Sequence, residues 1–230
     1  MKQKNARDGE KVTEGVLKTL EMSPNGIAAL DVLASLKLAS RGTLLATICR
    51  LTREGRMVRL KRGAYSVAPI RDGYAAAQAK FGGYIAFASA LRLHGLITEE
   101  PFTIMVATPK TSKIVRMGNL EFRAVALGKR AVGSERIGAH EVSNRAKTLF
   151  DCLFLPQYSA EMEKLEEAYA CAGRTKSADG LGPRWDRNSN PMTKEEWREF
   201  ARYVKRFGGR KGKMMREFEK RVRGAKNGNA

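Results

Sequence analysis

The stretch from residue 40 to residue 67 constrains the fold more than any other part of the chain. Ser40 can accept a hydrogen bond from the first turn of a helix, and Gly55 can adopt the positive φ that ends one. At about 100° per residue, one side of this helix is predicted to pack against a core through Leu45, Ile48 and Cys49. The opposite side is predicted to face solvent with Thr43, Thr47 and Arg50.

A β-hairpin is predicted directly after this helix. Residues 57–60 and 64–67 alternate as strands do, and the Lys-Arg-Gly segment at residues 61–63 joins them through a turn. Upstream, residues 11–21 and 27–38 carry apolar side chains at helical spacing, separated by a Ser-Pro-Asn-Gly cluster that breaks the chain. Three helices followed by a hairpin are typical of a winged helix-turn-helix domain.

This domain, assigned to residues 1–70, predicts a DNA partner. In a winged helix-turn-helix, the third helix lies in the major groove, and the hairpin reaches backbone phosphates or the minor groove. Base contacts are therefore assigned to the N-terminal half of the helix, at Arg41, Thr43, Leu44 and Thr47. Contacts to phosphates or groove edges are assigned to Arg50, Lys61 and Arg62.

The composition also favours a polyanionic partner. The chain contains 43 Lys and Arg against 24 Asp and Glu, for a formal charge of +19 in 230 residues. The surplus is concentrated at two places: thirteen cations against six acids in residues 1–70, and twelve against three in residues 198–226. RNA binding by the second of these remains a further interpretation, although its aromatic residues have spacings that suit a core better than a stacking platform.

Three features predict a protein of the cytoplasm. No stretch reaches the roughly 18 apolar residues of a membrane helix, and the first eleven residues lack the apolar core of a signal peptide. The three cysteines are odd in number and far apart, which favours neither a disulfide framework nor a zinc site. Reduced core thiols are expected at Cys49, Cys152 and Cys171.

A mixed α+β domain is predicted for residues 71–173. A helix is expected over residues 74–94 and should stop at Gly95. A small, mainly antiparallel sheet is expected from strands at residues 102–107, 113–117 and 120–127. Two further helices, over residues 144–155 and 160–172, are expected to begin at the N-caps Ser143 and Ser159.

The last part of the chain is predicted to be a loop and a helical tail. Residues 174–192 are polar and rich in Gly, Pro and Asn, as in a linker or long surface loop. In the basic segment 193–230, Thr193 and Glu196 predict a capping box that opens a helix, which Gly208 ends. A last basic helix should pack through Met214, Met215, Phe218 and Val222. The fold class is therefore α+β: a winged helix-turn-helix, a mixed α+β domain and a C-terminal helical tail.

Candidate catalytic residues are few, and no catalytic residue, cofactor or metal is predicted. His94 at a helix end is interpreted as a structural residue, and Lys147 with Asp151 as a surface ion pair four residues apart. The chain lacks a phosphate-binding glycine loop and a nucleophile elbow. The alternative function is a nucleic-acid-cleaving enzyme whose winged helix delivers the middle domain to DNA, with Glu121 as one acidic ligand.

Several segments in a fixed order resemble a known family. Behind the winged helix come residues 89–96 (SALRLHGL), residues 103–108 (TIMVAT) and residues 145–151 (RAKTLFD). Together they are similar to the AbiEi family, the antitoxins of type IV abortive-infection toxin–antitoxin systems, over about residues 10–172.

The resemblance implies a repressor that binds inverted repeats upstream of its own operon. A homodimer that places one recognition helix on each half-site is expected. The resemblance further implies that the C-terminal part counters a nucleotidyltransferase-like toxin encoded alongside, without forming a stable complex with it.

Overall fold

A computed structural model of the chain describes residues 2–170 and 192–224. The fold is mixed α+β, and the chain divides into two compact units. The first unit contains residues 1–82 and 115–122, and the second contains residues 83–114 and 123–230. The predicted loop at residues 174–192 lies outside the described residues except for its last residue, Met192, and Cys171 also lies outside them.

The first unit begins with three helices and a three-stranded sheet. Its strands pair antiparallel in the order β1-β3-β2. The unit continues past residue 70 through one further helix. Its elements are α1 (Lys2–Met22), β1 (Ile27–Ala29), α2 (Leu30–Ser35), α3 (Arg41–Arg53), β2 (Met57–Lys61), β3 (Ala64–Val67) and α4 (Gly73–Phe81).

The helix predicted over residues 27–38 is wrong in its first part. Asn25 and Gly26 both take positive φ, at 56° and 71°, so the chain leaves the helical direction. Ile27 then enters the sheet opposite Ser66 as the first residue of β1, and only six residues form α2. Strand pairing, which is not local in sequence, has overridden the helical spacing of the leucines.

The core of the first unit is built from α1, α3 and the sheet. The apolar residues of α1 recur at helical spacing on one side of that helix, as the sequence predicts. Ile48 and Leu51 of α3 pack in the same cluster and are fully or almost fully buried. The other core side chains include Val12, Val16, Leu20, Leu33, Met57, Tyr65 and Val67.

The later part of the chain contains a six-stranded sheet in the order β6-β7-β5-β4-β9-β8. Strand β4 pairs antiparallel with β5 and parallel with β9, and β8 pairs antiparallel with β9. The strands are β4 (Tyr84–Ile85), β5 (Thr103–Thr108), β6 (Lys113–Met117), β7 (Leu120–Ala126), β8 (Ser134–Ile137) and β9 (His140–Ser143). The helices are α5 (Phe87–Leu93), α6 (Arg145–Phe154), α7 (Met162–Ala170), α8 (Lys194–Phe207) and α9 (Gly212–Gly224).

The single helix predicted over residues 74–94 is wrong. Gly82 and Gly83 take positive φ, at 71° and 84°, and the chain then forms strand β4 before α5 begins. Gly95 ends α5 with a φ of 69°, as predicted. Two short helices thus replace one long helix, and the strand between them occupies the centre of the sheet.

Of the N-terminal helix caps predicted in the second unit, one is confirmed and two are wrong. The N-cap of α6 is Asn144, whose side chain accepts a hydrogen bond from the Lys147 N–H at 2.8 Å, and the predicted cap Ser143 lies in β9 instead. The predicted cap Ser159 is also wrong, because α7 begins at Met162. The capping box is confirmed, with reciprocal hydrogen bonds of 3.1 and 2.6 Å between Thr193 and Glu196.

Candidate nucleic-acid interface

Helix α3 has the boundaries that the sequence predicts. The Ser40 hydroxyl accepts a hydrogen bond from the Thr43 N–H at 3.3 Å and lies 3.0 Å from the Thr43 hydroxyl. At the other end, Gly55 follows the last turn with a φ of 70°. The cap fixes the first turn, and the side chains of Ser40, Arg41 and Thr43 are exposed there.

The predicted faces of this helix are correct for Ile48, Thr43 and Arg50 and wrong for the other residues. Leu44 and Thr47, predicted to contact bases, are 3% and 8% exposed, and they lie on the core side with Ile48 and Leu51. Leu44, Thr47, Ile48 and Leu51 repeat at i, i+3, i+4 and i+7, the spacing of a buried helical face. Ile48 belongs to both the predicted and the observed faces, and the burial of Leu51 selects the observed one.

The exposed side of α3 is therefore partly apolar. Leu45 is 37% exposed and Cys49 is also exposed, although both were predicted to pack. Of the four predicted base contacts, Arg41 and Thr43 remain accessible at the N-terminal end of the helix. The i, i+7 pair of Leu44 and Leu51 was the signal in the sequence that identifies the buried face.

Arg50 is accessible but already held by neighbours. Its side chain is 49% exposed, and its guanidinium forms an ion pair of 2.9 Å with Glu54. The same group donates a hydrogen bond of 2.6 Å to the Thr13 hydroxyl of α1. This bond connects α1 to α3, so Arg50 helps to fix the orientation of α3 within the first unit.

The turn of the β2–β3 hairpin presents cations to solvent. Lys61 and Arg62 are both exposed, and Gly63 closes the turn with a φ of 80°. The pairing register shifts between Arg59 and Lys61, as at a β-bulge. Within the part of the chain that the structure describes, neither Lys61 nor Arg62 forms an ion pair. From residue 41 to residue 62 there are seven cations and one acid.

Comparison with known proteins does not assign a family. No family model matches the chain, and a search of curated proteins finds no match. A function for this chain must therefore be argued from the geometry of α3 and its hairpin.

A second basic surface lies on α8 and α9. Exposed cations without an ion pair among the described residues are Arg202, Lys205, Arg206, Arg210, Lys213, Arg216 and Lys220. Beneath them Trp197, Tyr203 and Phe218 are buried, as a core interpretation of these aromatics requires. Met215 and Val222 are buried as predicted, whereas Met214 is 36% exposed.

The candidate catalytic residues His94 and Glu121 both have hydrogen-bond partners within the protein. His94 donates a hydrogen bond of 2.7 Å from Nε2 to the carbonyl oxygen of Ser143, and burial lowers its pKa to about 4. The Glu121 carboxylate accepts from Arg116 at 2.9 Å across the β6–β7 turn. In residues 2–170 and 192–224, no group of three or more His, Cys, Asp and Glu is arranged to hold a metal ion.

Lys147 and Asp151 form the predicted ion pair, but its predicted position on the surface is wrong. Their side chains are 0% and 2% exposed.

Among the helices within residues 2–170 and 192–224, none is both long enough and apolar enough to cross a membrane.

Proposed function

We propose that the first unit is a winged helix-turn-helix domain that binds double-stranded DNA and that the protein represses its own operon. One observation carries the proposal: a capped helix whose exposed N-terminal end carries Arg41 is followed directly by a hairpin whose turn has two exposed cations with no ion pair among the described residues. In winged domains these two elements contact the major groove and the neighbouring backbone.

The order of elements supports this proposal. α1, α2 and α3 precede the β2–β3 hairpin, and β1 adds a third strand beside β3. The hydrogen bond from Arg50 to Thr13 holds α3 against α1. A recognition helix needs such support, because base readout depends on a fixed orientation in the groove.

The exposed residues divide into two roles in the proposal. Arg41 and Thr43 contact base edges, because they lie at the accessible start of α3. Lys61 and Arg62 contact phosphates and so contribute affinity without sequence preference. Arg50 contributes mainly by positioning α3, and Leu44 and Thr47 support the helix from the core.

The same proposal includes an antitoxin role for the second unit, on the resemblance to the AbiEi family. The three resembling segments after the winged helix overlap α5, β5 and α6, which share one unit. Co-expression with the nucleotidyltransferase-like toxin expected alongside should restore growth, and the two proteins should not co-purify. Failure to restore growth would remove the antitoxin role and leave DNA binding intact.

A footprint on the DNA upstream of the operon tests the central proposal. We expect protection of an inverted repeat at modest ionic strength, one half-site for each copy in a homodimer. Thr43→Ala should reduce the preference for this site over other duplexes. Lys61→Ala with Arg62→Ala should weaken binding to every duplex and reduce the salt slope by about 1 for each lost phosphate contact, hence by about 4 for a homodimer.

The matched control removes two cations elsewhere. Lys110 and Lys129 are exposed in the second unit, and replacing both by Ala lowers the net charge equally without altering the hairpin. An equal loss of affinity in this control would show a general charge effect. Absence of affinity for any upstream fragment would overturn the proposal, and strand scission in Mg²⁺ would favour the enzyme alternative.

A further inference from the structure

The outward side of α3 carries small side chains at its centre. Opposite the buried leucines lie Gly42, Ala46 and Cys49, all exposed and small, at the i, i+4, i+7 spacing of one helical face. Leu45 lies at the edge of this face and is 37% exposed. The centre of the face thus offers small apolar groups and one thiol, and the exposed Arg53 continues the face at its C-terminal end.

The charges around this face indicate what covers it. Arg41 and Arg53 lie on the same helix, exposed, and neither forms an ion pair among the described residues. The one acid between residues 41 and 62 is Glu54, which Arg50 already neutralises at 2.9 Å. A second copy of this face would bring like charges together, whereas a polyanionic surface with an apolar group in its interior would complement them.

The major groove of DNA offers such a group. Its base edges present hydrogen-bond donors and acceptors, and the apolar feature among them is the C5 methyl of thymine. Small side chains at Gly42 and Ala46 allow the helix axis to come close to the base edges. Leu45 can then cover a methyl group from the side.

We propose that Leu45 and Ala46 recognise the C5 methyl group of a pyrimidine in each half-site, an inference that rests on the proposed DNA-binding function. The methyl belongs to thymine, or to 5-methylcytosine where the DNA is methylated. Because this contact removes apolar surface of both partners from water, it adds discrimination that contacts to phosphates cannot provide.

Substitution of single thymines tests the inference. Once the footprint has located the site, each dT in a half-site is replaced by dU, which removes the methyl and leaves the hydrogen-bonding edge unchanged. We expect one position per half-site at which wild-type affinity falls about three- to fivefold, as for loss of one buried methyl. In Leu45→Ala, the dT and dU sites should bind equally well at that position.

Leu36→Ala is the matched control. Leu36 is 41% exposed and follows α2, so its truncation removes the same side chain from outside α3. This variant should retain the full dT-to-dU difference. A second substitution, Leu45→Met, keeps apolar surface at the position and should also retain it. Thermal unfolding of each variant checks that the fold is intact.

The possible results distinguish methyl recognition from DNA binding itself. A footprint that is insensitive to every dT-to-dU change, and to replacement of cytosine by 5-methylcytosine, overturns methyl recognition and leaves DNA binding in place. Sensitivity to cytosine methylation alone assigns the contact to 5-methylcytosine. If Leu45→Ala instead changes the sedimentation coefficient with no change in discrimination, the face binds a second copy and the inference falls. Absence of any footprint overturns both.

Discussion

Lys147 donates to both carboxylate oxygens of Asp151 inside the second unit, where solvent reaches almost none of either side chain. Burial raises the pKa of Asp151 and lowers the pKa of Lys147, so each charge is maintained by the other. The Lys147 ammonium also lies 5.6 Å from the centre of the Phe150 ring. The pair is therefore a buried charge pair within a mainly apolar core.

Breaking this pair from one side should be costly. Lys147→Met leaves the Asp151 carboxylate buried without its ion-pair partner, and we expect the free energy of unfolding to fall by about 3–5 kcal/mol. Lys147→Met with Asp151→Leu removes both charges and should recover much of that loss. Urea unfolding of the wild-type protein, Lys147→Met, Asp151→Leu and the double variant measures the difference.

An exposed pair provides the control for this experiment. Arg198 and Glu195 approach within 3.7 Å, with side chains 68% and 79% exposed. Arg198→Ala should leave the unfolding midpoint almost unchanged, because solvent screens such pairs. If the double substitution at the buried pair is as destabilising as the sum of its single substitutions, the two charges are not coupled.

The pH dependence of stability should reflect His94. Its folded pKa is about 4 against 6.5 for the free side chain, chiefly because burial disfavours the charged form. A depressed histidine pKa contributes stability that is fully present above pH 6.5 and is lost as pH falls towards 4. Between pH 7.5 and pH 5 this amounts to about 2 kcal/mol.

His94→Gln isolates this contribution from that of the acids. The glutamine amide can still donate to the Ser143 carbonyl oxygen, but it does not titrate. Denaturation midpoints measured from pH 7.5 to pH 5 should fall more steeply for the wild-type protein than for the variant. Parallel curves would mean that His94 titrates normally in the folded protein.

Two adjacent glycines should respond differently to the same substitution. A Cβ on Gly83 would lie 2.1 Å from the backbone oxygen of Ala107 in β5, whereas a Cβ on Gly82 would meet no atom within 4 Å. Both residues have positive φ, so each Ala variant carries backbone strain of about 1–3 kcal/mol. Only Gly83→Ala also displaces a strand, and we expect it to lose about 1–3 kcal/mol more in urea unfolding. Equal losses would contradict the close approach.

Sequence patterns predict helix boundaries that local chemistry sets, but they do not predict short strands that depend on pairing with distant segments. Helix boundaries set by local chemistry, such as the Ser40 cap of α3 and the Thr193 capping box of α8, are confirmed. The strands β1, β4, β8 and β9 were missed, because each is only two to four residues long. Of these, β1, β4 and β9 pair with segments distant in sequence, and β8 pairs with β9. The long helix predicted over residues 74–94 failed for that reason: strand pairing at Tyr84 and Ile85 interrupts it.

In the candidate interface, the exposed cations of the hairpin were predicted from the sequence, whereas the exposed side of α3 was not. The exposed cations of the hairpin turn, Lys61 and Arg62, followed from the turn alone, since two strands and a glycine define which residues lie at the tip. The exposed side of α3 did not follow, because two overlapping apolar stripes share Ile48 and the prediction did not weigh the i, i+7 pair of Leu44 and Leu51. In the structure, Leu45 and Cys49 lie on the exposed side of α3. Leu44 and Thr47, which were predicted to be exposed, are buried.

The exposed position of Cys49 allows a direct test of whether α3 faces DNA. Cys49 is an exposed thiol on α3, while Cys152 is fully buried and burial raises its pKa to about 12, so that it should be unreactive. In a Cys171→Ser background, a thiol-specific chromophore should react quickly with Cys49 in the free protein. Saturating operator DNA should slow this reaction until it is no faster than that of Cys152.

The protection should depend on the duplex being bound through α3. Adding salt to release the DNA should restore fast labelling, because contacts to phosphates are lost as counterions return. Lys61→Ala with Arg62→Ala should require less salt for the same recovery, while Cys49→Ser should abolish the fast phase altogether. If the Cys49 rate is unchanged at a DNA concentration that saturates the footprint, the duplex contacts another surface of the protein, and α3 is not the recognition helix.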